Sequence, residues 1–105
     1  MDPKKTIDEC RKILEDAKQA KENAERANSE FYINAHIQTT ISLWDNIRKI
    51  CADFVMKHPN TAESKEIREI SIEVGDIATM VAEIAQAKEK NMELQYRRQI
   101  KRHKK

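Results

Sequence analysis

The sequence has few of the residues that make tight turns. Its 105 residues include one glycine and two prolines. Phosphate-binding loops and dinucleotide-binding motifs need several glycines at fixed spacing. Folds built from many strands need turns rich in glycine and proline. The counts therefore argue against P-loop and Rossmann folds, sandwiches and barrels, and we expect an all-α protein without a bound cofactor.

Cysteines and long apolar runs are also scarce. The two cysteines, Cys10 and Cys51, do not make a disulfide framework. No apolar run approaches the length of a membrane-spanning helix, which needs about 18 residues. The first ten residues also lack the apolar stretch of a signal peptide. We therefore expect an intracellular protein, cytoplasmic or nuclear if eukaryotic, with reduced thiols and no membrane contact.

Charged residues are abundant and balanced, at 36% of the chain with 20 basic and 18 acidic residues. Many stand four apart with the acid first, as Asp45 and Lys49 do, which favours helix. The strongest interruption of the helical pattern is the segment His58-Pro59-Asn60-Thr61. Pro59 disfavours helical backbone angles at His58, and Asn60 or Thr61 can cap the helix that follows. The sequence predicts two helical tracts, at about 3–57 and 61–100.

The first tract is either one helix or two. Its stripe up to about residue 27 is shallow and rich in alanine, whereas the face from Ile33 to Val55 is bulky, with Trp44 in its middle. The change falls near Asn28-Ser29, which are weak helix formers. We favour a break within 28–35 over a continuous helix, and we expect Trp44 to anchor the core.

The second tract carries the clearest pattern. Bulky residues occupy consecutive a and d positions of a heptad repeat, beside a stripe of small residues with the same spacing. The sequence therefore predicts an antiparallel helical hairpin or three-helix bundle with coiled-coil-like packing, turning at His58–Thr61. The bulky stripe is Ile67, Ile70, Val74, Ile77, Val81 and Ile84, and the small one is Gly75, Ala78, Ala82 and Ala85.

The small-residue faces suggest contact with another chain. An alanine face buries little area, so that a helix carrying it gains most of its stability from a partner. We expect a homo-oligomer, most simply a dimer, or a helical protein partner. The expected interface residues are Ala17, Ala24, Phe31, Gly75, Ala78 and Ala82.

Acidic residues gather on one side of the second tract, with Glu69, Glu73 and Asp76 on successive turns. Carboxylates at this spacing are weak candidates for divalent-metal ligands. The segment from Ser71 to Ile77 resembles the ExxD-type helix of MazG-like all-α nucleotide pyrophosphatases, and the resemblance implies magnesium binding and nucleotide hydrolysis. The second acidic motif of that family has no counterpart in 38–56.

Basic residues concentrate in the last nine positions. Residues 97–105 hold six cations and no acid, whereas residues 1–96 hold 14 basic and 18 acidic residues. We therefore divide the chain into a helical domain, 1–96, and a basic tail, 97–105. Such a tail can replace counterions on phosphates without reading bases, or merely keep a helix end solvated. The candidate nucleic-acid-binding residues are Arg97, Arg98, Lys101, Arg102, Lys104 and Lys105.

These observations favour a function in binding over catalysis. We expect a non-enzymatic helical interaction, adaptor or regulatory protein that self-associates and touches nucleic acid non-specifically through its tail. A metal-dependent nucleotide pyrophosphatase of the MazG-like type is the alternative.

Overall fold

The chain folds as three packed helices. The computed structural model describes the backbone of residues 2–103 and the side chains of residues 2–29 and 31–91. The helices are α1 (Pro3–Arg26), α2 (Glu30–Lys57) and α3 (Ala62–His103), and this described part contains no strand. The all-α fold is confirmed, in the form of a three-helix bundle.

The first tract is two helices. Helix α1 ends at Arg26, and Ala27 is extended, with φ −67° and ψ 134°. Ser29 caps α2, since its hydroxyl accepts a hydrogen bond from the Tyr32 amide at 3.3 Å. The break predicted within 28–35 is therefore real, and it lies at 27–29.

The turn between α2 and α3 lies where the sequence predicts it. Thr61 caps α3 by accepting a hydrogen bond from the Ser64 amide at 3.1 Å, and the Thr61 and Ser64 hydroxyls both donate to the His58 carbonyl. Asn60 adopts a left-handed φ of 62°, which asparagine tolerates better than most residues. These local bonds reverse the chain within four residues.

The helices run up, down and up. Arg11 near the start of α1 pairs with Glu66 near the start of α3, and Lys88 of α3 reaches the carboxyl end of α1, so α1 and α3 are parallel. Helix α2 runs antiparallel to both. All three helices contact one another.

The core follows the predicted stripes. The heptad positions of α3 from Ile67 to Val81 are buried, and Ile84 is half-buried. Helix α1 contributes Ile13 and Leu14, and α2 contributes Ile47 and Phe54. The heptad pattern of α3 is therefore confirmed as a packing face. We call it the seam, and it consists of Ile67, Ile70, Val74, Ile77, Val81 and Ile84.

Trp44 is not the core anchor that the sequence predicts. It is 37% exposed, and its indole lies across the backbone of Gly75 on α3. The Arg48 guanidinium covers the ring, with its central carbon 5.3 Å from the ring centroid. Because Ile47 and Phe54 fill the core positions of α2, the indole is displaced to the edge of the α2–α3 contact.

Replacing Gly75 by alanine is expected to lower the free energy of unfolding, although alanine favours helix by about 0.8–1 kcal/mol over glycine. The new Cβ would lie 2.9 Å from Nε1 and 3.2 Å from Cε2 of Trp44, so the indole must move and lose packing. Urea denaturation measures the change. In a Trp44→Ala background the same substitution is expected to gain about 1 kcal/mol, because the clash is gone. A gain in the unaltered protein would contradict the contact.

Helix α3 continues far beyond its partners. Lys88 lies at the level of the α1–α2 link, and the following 15 residues, 89–103, add about 22 Å of helix. We call residues 92–103 the α3 extension. The helix continues without interruption across residue 96, the expected boundary between the helical domain and the basic tail. Within the part of the chain that is described, no helix is long and apolar enough to cross a membrane.

Candidate functional site

Lys88 joins the base of the α3 extension to the end of α1. Its ammonium donates hydrogen bonds to the carbonyl oxygens of Ala24 and Ala27, each at 2.8 Å, and of Glu25 at 2.5 Å. The last carbonyls of a helix lack intrahelical partners and carry the negative end of its dipole. Lys88 therefore acts as a C-terminal cap supplied by another helix. The sequence did not indicate this role, although Lys88 continues the heptad spacing of the seam.

A cleft of about 550 Å³ runs between α1 and α3. Its rims carry four carboxylates, Glu22 and Glu25 from α1 and Glu73 and Asp76 from α3. Lys18 and Lys21 also stand on the α1 rim, and Ile77 and Met80 form an apolar floor. We call these eight residues the acidic groove.

The charges of the acidic groove are only partly neutralised. Lys21 pairs with Glu25 at 3.9 Å, and Lys18 pairs with Glu15 outside the groove at 3.6 Å. Among the described residues, Glu22, Glu73 and Asp76 have no ion-pair partner within 4.0 Å. Met80 on the floor is 43% exposed. The groove thus combines net negative charge with accessible apolar surface.

The acidic surface continues toward the start of both helices. A second cleft, of about 360 Å³, is lined by Arg11 and Glu15 of α1 and by Glu66, Glu69 and Glu73 of α3, over Leu14 and Ile70, and Arg11 pairs with Glu66 there. Glu73 belongs to both clefts. Together the two clefts follow α1 from Arg11 to Glu25, a length of about 21 Å.

The candidate metal ligands lie along these clefts. Glu69 and Glu73 share the second cleft, and Glu73 and Asp76 share the acidic groove. In the portion of the chain that the structure describes, no three His, Cys, Asp or Glu side chains are grouped to hold a metal ion.

Both cysteines pack against the core. Cys10 is fully buried and Cys51 is half-buried against the same cluster. Burial raises the pKa of the Cys10 thiol to about 11, and the charges of Glu9 and Cys51 act in the same direction. Burial also raises the pKa of Cys51, against an opposing effect of Arg68. Both thiols are protonated at neutral pH and are poor nucleophiles.

The predicted interface residues lie mainly inside the bundle. Ala17, Ala24 and Ala78 are buried, Gly75 lies under Trp44, and Ala82 is half-buried. The small face of α3 is covered by α2 of the same chain, so its burial needs no second copy. Phe31 differs: it is 75% exposed and stands edge-on to Tyr32, with ring centroids 5.5 Å apart.

The candidate nucleic-acid-binding residues belong to the α3 extension and the residues after it. The backbone is helical at Arg97, Arg98, Lys101 and Arg102, whose side chains lie outside the described part. Lys104 and Lys105 lie wholly outside the described residues.

Comparison with known proteins assigns no family to this arrangement, since no protein-family model, curated protein or solved structure matches the chain.

Proposed function

We propose that the protein is a non-enzymatic helical interaction protein that self-associates and contacts nucleic acid through the basic α3 extension. The observation that carries the proposal is the helix itself, which continues about 22 Å beyond Lys88 and enters the segment 97–105, where the sequence holds six cations and no acid. A reduced, intracellular setting, cytoplasmic or nuclear, fits the two free thiols.

One further observation supports a function in binding. Phe31 and Tyr32 are 75% and 59% exposed, and their ring centroids lie 5.5 Å apart, so that the two rings form a contiguous aromatic patch on the surface.

The expected mode of nucleic-acid binding is electrostatic. Each cation that meets a phosphate releases a counterion, so affinity falls steeply with salt and depends little on sequence. A helix presenting Arg97, Arg98, Lys101 and Arg102 suits this mode.

The test is fluorescence anisotropy with labelled DNA and RNA of mixed sequence, from low to physiological salt. Replacing Arg97, Arg98, Lys101 and Arg102 together by glutamine is expected to weaken binding at least tenfold at low salt. The slope of log association constant against log salt concentration is negative, and its magnitude should be smaller by about three in this variant than in the unaltered protein. The matched control neutralises four exposed lysines of the bundle, Lys4, Lys5, Lys12 and Lys65. Equal losses in both variants, or no binding by the unaltered protein, would contradict the proposal.

A further inference from the structure

We propose that the acidic groove binds the basic α3 extension of a second copy of the chain. The inference rests on the self-association proposed above and names the two surfaces that meet. Its first support is charge. Glu22, Glu73 and Asp76 have no ion-pair partner among the described residues, and residues 97–105 hold cations without an acid.

The apolar chemistry of the two surfaces also agrees. The groove floor exposes Met80 beside Ile77. The extension carries Met92, Tyr96 and Ile100 at helical spacing among its cations. Such a helix gains stability when its apolar residues meet an apolar floor and its cations meet acidic rims. A purely acidic surface would attract the extension without ordering it.

The α3 extension is long enough to cover the acidic groove. The groove follows α1 from Lys18 to Glu25, about 10 Å, and the 12 helical residues of the extension, 92–103, span about 18 Å. The acidic groove ends at the last turn of α1, which is the end of the bundle from which the extension leaves. Two copies that meet at these ends overlap extension on groove.

The occupant must come from another copy. Helix α3 is continuous from Ala62 to His103, so the extension points away from the groove of its own chain, which lies at residues 73–80 of the same helix. Folding back would require a break in the helix. A two-fold dimer lets each extension lie on the groove of the other copy, and that exchange closes the assembly at two chains.

The test begins with the mass in solution, measured by light scattering at micromolar concentration. We expect a dimer, with twice the 12.3 kDa of the chain. Replacing Glu22, Glu73 and Asp76 by glutamine, glutamine and asparagine is expected to weaken the dimer at least tenfold. The matched control neutralises three exposed acids outside the groove, Glu9, Asp16 and Glu83, and should leave the dimer intact. Far-UV circular dichroism verifies that each variant is folded.

A charge exchange makes the test specific to this pairing. One variant carries lysine at Glu22, Glu73 and Asp76, and the other carries glutamate at Arg97, Arg98, Lys101 and Arg102. Each alone is expected to be monomeric, because its groove and extension then carry like charges. Their mixture is expected to form a heterodimer, in which every groove meets an extension of opposite charge. A mixture that stays monomeric would overturn the inference.

The outcomes also separate this inference from the proposed function. Nucleic-acid binding by the glutamine and asparagine groove variant should strengthen, because the cations of its extension are no longer held by the acidic groove of another copy and are free to meet phosphates. If the groove variant stays dimeric while the extension variant loses nucleic-acid binding, the inference fails and the proposed function stands. If the unaltered chain is a monomer at all concentrations, both the self-association and this inference fail.

Discussion

Replacing Val74 by aspartate is expected to abolish the cooperative unfolding of the bundle. Val74 is fully buried in the seam of α3. The substitution loses about 1.5–3 kcal/mol of apolar burial and also places a carboxylate among apolar side chains, at a cost of several kcal/mol more. The total stability of a small domain is usually only about 5–15 kcal/mol. Thermal and urea unfolding followed by circular dichroism should show no sharp transition.

Ile72 provides the matched control, because it lies two residues away on the same helix and is 64% exposed. Ile72→Asp introduces the same group at a position that keeps its water, so the free energy of unfolding should change by less than about 0.5 kcal/mol. If Val74→Asp unfolded with an unchanged midpoint, the assignment of the seam would be wrong.

Replacing Lys88 by methionine is expected to lower the free energy of unfolding by about 2 kcal/mol. Methionine keeps an unbranched apolar stem but removes the ammonium that donates to Ala24, Glu25 and Ala27. Without the ammonium, only water can replace the hydrogen bonds that these three carbonyl oxygens accept from Lys88. The last turn of α1 should therefore fray. Urea denaturation gives the energy, and hydrogen exchange of the amides in that turn locates the loss.

Lys90→Met is the control, since Lys90 is exposed on the same helix and the change in charge is identical. It should alter stability by less than about 0.5 kcal/mol. Equal effects at the two positions would mean that the loss comes from net charge rather than from the cap.

The helices and the seam were predictable because each depends on residues close together in the chain. Ser29 and Thr61 lie next to the helices they cap, and the spacing of Val74 and Val81 is a property of one helix. The prediction that Trp44 anchors the core was wrong because the spacing of residues shows which face of a helix a side chain lies on and not how deeply that side chain is buried. Only the approach of Gly75 shows that the indole lies at the edge of the α2–α3 contact.

The acidic groove was only half visible in the sequence. Glu73 and Asp76 stood out as a run on one helix, and their spacing favoured a metal as the ligand. Their actual neighbours, Glu22 and Glu25, come from a helix about 50 residues earlier. The parallel pairing of α1 with α3 brings the two sets together, and no spacing within either helix encodes that pairing. For the same reason the sequence did not indicate the reach of Lys88 to α1.

The parallel pairing also has a consequence for the newly made chain. Helix α1 is synthesised first, yet its cap, Lys88, comes 62 residues after Arg26. At the usual rate of about 5–20 residues per second, a ribosome needs roughly 3–12 s to add that stretch. Until then Ile13 and Leu14 lack the cover that α3 provides in the finished fold. Throughout that interval the apolar side chains of the α1 segment are open to contacts that α3 excludes in the finished fold.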